Sequence, residues 1–187
     1  MANKKIILAF VGMPGSGKSE AVLYLGKKGT PFVRFGQITD EGLKKLGLPL
    51  TSENERGFRE NIRKEFGMAA YAIKSKPKID ELLKTTDLLA IDGLYSWEEY
   101  TYLKNEYSGL LLIHVFTERK KRYERLSTRA IRPIPLEKCF ARDVSEIEKL
   151  NKGGPIAMAD YLAENNSDSL EDLYQRIDKV LEKIKNK

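Results

Sequence analysis

The amino-acid sequence predicts an α/β protein whose centre is a parallel sheet of four strands and a weaker fifth, flanked by helices. Two observations carry that reading. Apolar runs short enough for buried strands fall at residues 6–11, 31–35, 88–91 and 110–116, with a weaker fifth at 161–163. Such continuous apolar character marks strands covered on both faces. The longer segments between them repeat apolar residues at the helical period, and strands alternating with helices lead to a parallel sheet.

The first run leads at once into glycines and Lys18, so it reads as a strand ending in a loop; it is too short for the apolar core of a leader peptide. The helix after that loop closes at Gly29. Ser52 with Glu55, Ser96 with Glu99 and Ser169 with Asp172 each place an acid three residues after a hydroxyl, the spacing of a capping box, so helices are expected to open there. In the helix opened by Ser52, the residues Phe58, Ile62 and Phe66 form a stripe suited to burial. Ser108 and Gly109 turn the chain into the fourth strand, and the stretch 151–155 breaks the last third. The C-terminal segment 170–184 puts Leu170, Leu173, Ile177, Val180, Leu181 and Ile184 on one helical face.

Composition sets the outer limits. The chain has 187 residues, 41% of them hydrophobic and 32% charged. That is enough apolar material for a core and, at about 150 residues per domain, enough chain for one domain over 1–187. The net charge of +6 favours anionic partners such as phosphates. Cys139 is the only cysteine, which excludes an intrachain disulfide and a multi-cysteine metal site and fits a reducing, cytoplasmic setting. No stretch approaches the roughly 20 apolar residues of a membrane span.

The strongest chemical signal is Gly12-Met13-Pro14-Gly15-Ser16-Gly17-Lys18-Ser19, which matches G-x-x-x-x-G-K-[ST] between a strand and a helix. Its glycines let backbone N–H groups curl round phosphate oxygens, and the helix N-terminus adds a favourable dipole. Lys18 reaches the β and γ phosphates, and Ser19 holds magnesium. The run ending Ile91-Asp92-Gly93 sets an acid at the tip of a buried strand, suited to magnesium directly or through water. Asp-Gly is also an ordinary turn pair.

Arginines supply the remaining candidates. Arg122, Arg125 and Arg129 share one helical face at i, i+3 and i+7, a spacing that suits a transferring phosphate or, with Glu118 and Glu124 as partners, a solvated basic face. Arg56, Arg59 and Arg63 repeat it on the helix opened by Ser52. There they either grip an anionic acceptor or serve surface pairs such as Glu55–Arg59, Arg56–Glu60 and Glu60–Lys64. His114, inside an apolar run, reads as a buried structural histidine. Tyr95, Trp97 and Tyr100, just past Asp92, read as core or as pocket wall. Acids interleave the basic stretch from Arg119 to Arg132 and no aromatic platform accompanies it, which argues against nucleic acid.

With these residues the chain resembles the nucleoside monophosphate kinase group of P-loop proteins, which includes adenylate kinase and dephospho-CoA kinase. It is similar above all to the uncharacterised, mainly archaeal proteins related to dephospho-CoA kinase. The likeness lies in the GMPGSGKS loop, Ile62-Arg63-Lys64-Glu65-Phe66-Gly67, Ile91-Asp92-Gly93, Arg122-Tyr123-Glu124-Arg125-Leu126, Arg142-Asp143, and Ala159-Asp160-Tyr161 followed by Asn165. It implies a three-layer P-loop NTPase fold with a helical acceptor-binding insertion over about 39–76 and a short lid over about 125–142, using ATP and Mg2+. By that resemblance Lys18 and Asp92 sit at the reaction, Arg125 and Arg129 approach the phosphates and Arg142 closes from the lid. Asn165 then lies beside the adenine, and Arg59, Arg63, Asp40 and Tyr95 face the acceptor.

The chain also departs from those relatives. They carry an aspartate just after the second strand, where this chain reads Phe35-Gly36-Gln37, and arginines where it has Asp40 and Tyr95. Two readings follow. One is an ATP-dependent kinase that moves the γ-phosphoryl group to a nucleotide-like, phosphorylated acceptor such as a nucleoside monophosphate or dephospho-CoA. The other is an ATP-binding regulatory protein that has lost acceptor phosphorylation and answers to a protein partner.

Overall fold

The computed structural model describes residues 5–186. Strands β1 (Ile6–Val11), β2 (Phe32–Arg34), β3 (Leu88–Asp92), β4 (Leu110–Phe116) and β5 (Tyr161–Glu164) form one sheet in the order β2-β3-β1-β4-β5. Every neighbouring pair is parallel, so the expected five-stranded sheet is present, its weak fifth member included. Four strand limits shift. β2 starts one residue later than expected and stops one residue short of Phe35, β5 runs on to Glu164, and β3 runs on to Asp92, whose carbonyl accepts from the Phe35 amide at 2.9 Å.

The helices are α1 (Lys18–Lys27), α2 (Gln37–Lys45), α3 (Ser52–Phe66), α4 (Ala70–Leu82), α5 (Trp97–Glu106), α6 (Arg119–Thr128), α7 (Leu136–Glu148), α8 (Gly153–Ala157) and α9 (Leu170–Lys185). Successive strand residues point to opposite faces, so the apolar runs feed two cores. Ile7, Ala9, Val11, Leu89 and Ile91 join Ile62 of α3, Ile79 of α4 and Leu103 of α5 on one side. On the other, Leu8, Phe10, Ala90 and Val115 pack with Val22 and Leu25 of α1 and with Leu173 and Ile177 of α9. This two-sided burial explains why the strands lack polar alternation. Among the described residues no helix is long and apolar enough to cross a membrane.

Three local expectations need correction. α3 is capped by Thr51, not Ser52: Thr51 has the extended backbone an N-cap needs, and its hydroxyl accepts from the Asn54 amide at 3.2 Å. Glu55 is thereby free of cap duty and pairs instead with Arg59 and Arg132. Ser169 does stand at the N-cap of α9, but its side chain makes no cap bond; its amide donates to Ser167 Oγ at 3.1 Å. Leu170 is 49% exposed, because the buried stripe of α9 starts one turn later at Leu173.

The box at α5 is complete. Ser96 Oγ accepts from the Glu99 amide at 3.0 Å and donates to the Met68 carbonyl at 3.1 Å, tying the start of α5 to the start of α4. Ser96→Ala is expected to lower stability by about 1–2 kcal/mol, read in urea as a lower midpoint with an unchanged slope.

Candidate functional site

The tips of the parallel strands lie at one edge of the sheet, and the candidate residues collect there. β1 runs into the phosphate-binding loop. Gly17 caps α1 with φ 98°, and Gly15 has φ +80°, where a Cβ would stand 2.7 Å from the Arg122 carbonyl oxygen. Only glycine fits both demands. Lys18 is 9% exposed, and its Nζ donates to the Met13 carbonyl at 3.0 Å within its own loop. Burial, followed by the nearby Lys152, brings the Lys18 ammonium down to about 7.

The parallel pairing of β1 with β3 sets Phe10 opposite Asp92, which places the carboxylate beside the loop. Ser19 Oγ donates to Asp92 Oδ1 at 3.2 Å and Oδ2 at 3.1 Å. Burial raises the Asp92 pKa, against the opposing pull of Ser19 and Lys18. Among the described residues no cluster of three or more His, Cys, Asp or Glu could hold a metal by itself. One hydroxyl and one carboxylate side by side fit magnesium, which keeps several waters and takes the rest of its oxygens from phosphate.

Other candidates brace the loop from behind. Asn165 Nδ2 donates to the Ser16 carbonyl at 2.9 Å, and Thr117 Oγ1 is 3.1 Å from the same carbonyl oxygen. Arg122, expected to share a phosphate-facing surface, is buried instead. It donates to the Pro14 carbonyl at 3.0 Å and to both carboxylate oxygens of Asp143, at 3.0 and 2.6 Å. Arg125 donates to the Ser167 carbonyl at 2.6 Å, and Lys121 pairs with Asp168 at 2.7 Å. Among the described residues Glu118 and Glu124 form no ion pair with this face, because Arg122, Arg125 and Lys121 reach tertiary partners instead. Arg129 Nε donates to the Arg132 carbonyl at 2.8 Å, and Arg142, on α7, pairs with Glu146. Arg125, Arg129 and Arg142 line neither of the two cavities described next.

A cavity of about 250 Å³ beside Ser19 and Asp92 has Val22, Leu23 and Phe32 on its wall. Through the shared residues Arg34, Gly36 and Tyr95 it adjoins a cleft of about 180 Å³. The expected acceptor residues Arg59, Arg63, Asp40 and Tyr95 meet in that cleft. Arg34 pairs with Asp40, while Glu55, 4% exposed, pairs with Arg59 at 3.3 Å and with Arg132. Of the three surface pairs expected on α3, only Glu55–Arg59 forms among the described residues. Gln37 turns aside, donating to Glu41 at 2.6 Å and accepting from Lys78 at 3.2 Å. His114 is half-buried with its ring edge-on to Phe116 at 5.9 Å, and burial lowers its pKa, as suits a structural imidazole.

Sequence reasoning missed a second group. Arg34 ends β2, and the strand-tip rule could have found it. For Glu55 the pair with Arg59 is expected, and the one missed is its pair with Arg132. Lys152, 2% exposed, bonds Glu146 and stands 4.4 Å from the Tyr95 ring centroid. Burial lowers the Lys152 pKa. Burial also pushes the Glu146 carboxyl upward, but Lys152 and Arg142 hold it below its usual range. Glu99 is wholly buried, which raises it to about 7 even though the Tyr95 and Ser96 amides donate to its Oε2 at 2.7 and 3.2 Å. No local pattern marks Lys152, which sits in a glycine-rich break.

Two outcomes follow. Arg122→Ala strips Asp143 of its buried counter-ion and is expected to lower stability by about 3–5 kcal/mol in calorimetry. Lys18 keeps its proton up to 10.5 in the unfolded chain but only to about 7 in the folded one. Within that window the unfolded state holds more protons, so stability rises with pH. Lys152 acts with the same sign. Lys18→Met should flatten the rise in urea unfolding measured across the window.

Comparison with other proteins agrees with this geometry. A family model described as an AAA domain matches residues 8–150. The UPF0200 protein of Thermococcus sibiricus is 36% identical over 183 residues, covering 96% of this chain and 95% of the relative. Shikimate kinase from Acinetobacter baumannii, solved in complex with shikimate, superposes with a TM-score of 0.60 at 18% identity, over 99% of this chain and 97% of that one. Dephospho-CoA kinase from Campylobacter jejuni gives 0.54 at 19% identity, over 97% and 98%. Glycine-rich loop, strand order and sequence agree: the chain belongs to the UPF0200 family and is built on the fold of the P-loop kinases.

Proposed function

We propose that the protein is a phosphotransferase that binds ATP with magnesium and moves the γ-phosphoryl group to a small phosphorylated acceptor. One observation carries the reading: the Ser19–Asp92 pair beside the phosphate loop adjoins, through Arg34 and Tyr95, a cleft lined with arginines. A donor site and an anion site side by side are what phosphoryl transfer needs, since positioning and charge stabilisation supply most of its catalysis.

In this reading the residues 12–19 cradle the triphosphate, and Lys18 exchanges the Met13 carbonyl for phosphate oxygens. Ser19 would hold magnesium, and Asp92 would hold it directly or through water; bound there, the ion would supply charge neutralisation on the phosphates. Asn165 borders the adenine side, Arg125 and Arg129 approach the phosphates, and Arg142 closes from the lid over 125–142. The insertion over 39–76 presents Arg59 and Arg63 to the acceptor, with Tyr95 as wall. Asp40 orients the acceptor. The acceptor oxygen bonds to the γ-phosphorus as the bond to the β–γ bridging oxygen breaks, its electron pair leaving on ADP. A nucleoside monophosphate or dephospho-CoA supplies the negative charge required. The structural neighbours are described as kinases of small molecules, and a buried lone Cys139 suits the cytoplasm.

The regulatory reading keeps one observation in its favour: Asp40 and Glu55 already occupy cleft arginines from within. Titration with MgATP separates the two. ATP at about 100 times its Kd should stabilise the fold by roughly 2.7 kcal/mol. Lys18→Ala should lower transfer by about 10²- to 10³-fold, and Ser19→Ala should remove the magnesium dependence of ATP binding. Binding of MgATP with no acceptor-stimulated ADP release would favour the regulatory protein, and no MgATP binding would overturn both.

A further inference from the structure

The cleft described above can be read for the chemistry of its occupant. Arg34, Arg59, Arg63 and Arg132 face only Asp40 and Glu55 across it, leaving a surplus of two positive charges. That balance matches one phosphate dianion or a pair of carboxylates. Arg63 adds a specific demand, for its Nε is buried and has no hydrogen-bond partner. An acceptor oxygen brought into the cleft would satisfy it.

What the cleft omits is equally informative. Among the described residues no aliphatic side chain lines it. Its two aromatic residues are already engaged: Tyr71, 4% exposed, has the Arg63 guanidinium 5.5 Å from its ring centroid, and the Tyr95 ring has Lys152 at 4.4 Å. A purine or pyrimidine needs an open aromatic or apolar face to stack on, and neither ring offers one in the manner of a base platform. Hydrogen-bonding groups fill the walls instead. Thr39 and Tyr71 hold each other's hydroxyls at 2.6 Å, and Asp40 has a single guanidinium partner where Glu55 has two. At about 180 Å³ the cleft is also smaller than the ~300–1,000 Å³ typical of sites for drug-sized ligands.

We infer that the acceptor is a compact hydroxylated molecule with one phosphate or two carboxylates and no nucleobase, seated in the cleft between Arg34, Arg63 and Asp40. This rests on the phosphotransferase reading, but it replaces that reading's nucleotide and dephospho-CoA acceptors with a base-free one and admits two carboxylates in place of the phosphate. The acceptor hydroxyl oxygen forms the new bond to the γ-phosphorus while the bridging P–O bond breaks, its electrons leaving with ADP. The hydroxyl proton passes to the Asp40 carboxylate.

The test uses the full-length protein with MgATP labelled at the γ position. Ribose 5-phosphate, glycerol 3-phosphate, 3-phosphoglycerate and hydroxylated dicarboxylates form one arm; AMP, CMP, UMP and dephospho-CoA form the other. A member of the first arm is expected to stabilise the MgATP-bound protein and to receive label. Arg63→Met should raise its KM by about 10- to 100-fold, and Asp40→Asn should act mainly on kcat. Preferential labelling of a nucleotide or of dephospho-CoA, with its base against Phe32 in the adjoining cavity, would overturn the inference and leave the phosphotransferase reading standing. MgATP binding with no response to any base-free anion would overturn it too and favour the regulatory reading. Failure to bind MgATP at all would remove the proposed function beneath it.

Discussion

A phosphate-binding loop has to leave its backbone N–H groups facing open space, so nothing can pack on that side and the loop must be held from behind. Arg122 does most of this. Its guanidinium bonds the Pro14 carbonyl and both oxygens of Asp143, joining the loop, α6 and α7 through one buried group. Asn165 and Thr117 complete the brace at Ser16, one from the end of β5 and the other from the end of β4. The loop therefore inherits its shape from the sheet and from the segment that precedes the C-terminal helix. Arginine suits the position because a planar fork can serve a carboxylate and a carbonyl together, which a lysine cannot.

Around that brace the site stores charge in an unusual state. Lys18 and Lys152 are both buried, both lowered in pKa and close enough to act on each other. Glu146 answers Lys152, and Glu99 sits nearby with one oxygen unpartnered. Buried groups of like sign disfavour the charged form, and a polyanion entering the loop reverses the preference. The protein's resting electrostatics are thus organised around a ligand of opposite sign. The cleft shows the same logic on a coarser scale, with Asp40 and Glu55 holding some of its guanidinium groups.

The sheet and the phosphate loop were legible because their signals are local. Eight consecutive residues define the loop, and each strand announces itself within a few apolar residues. Ser19 and Asp92 lie 73 positions apart, yet both were found, because parallel strands deliver their tips to one edge. The arginine-lined cleft was half legible: Arg59 and Arg63 share a helix face, whereas Arg34, Glu55 and Arg132 come together only through the packing of β2, α3 and the loop after α6. Arg122 was placed on the correct helix and given the wrong work, since spacing identifies a face but not what covers it. Lys152 had no signal, because a lysine after a helix is ordinarily solvated and only the fold buries it.

The sheet edge divides the labour cleanly. The loop after β1, the tip of β3 and the ends of β4 and β5 build and brace the phosphate side, whereas α3 and the loop after α6 bring Arg59, Arg63 and Arg132 to the cleft. Arg34, Gly36 and Tyr95 alone belong to both cavities. Substitutions at Arg59 and Arg63 therefore change the charge of the cleft without touching the strands or the brace behind the loop, whereas Ile62 on the same helix is part of the core. The charge of the cleft is thus adjustable apart from the buried contacts that shape the loop.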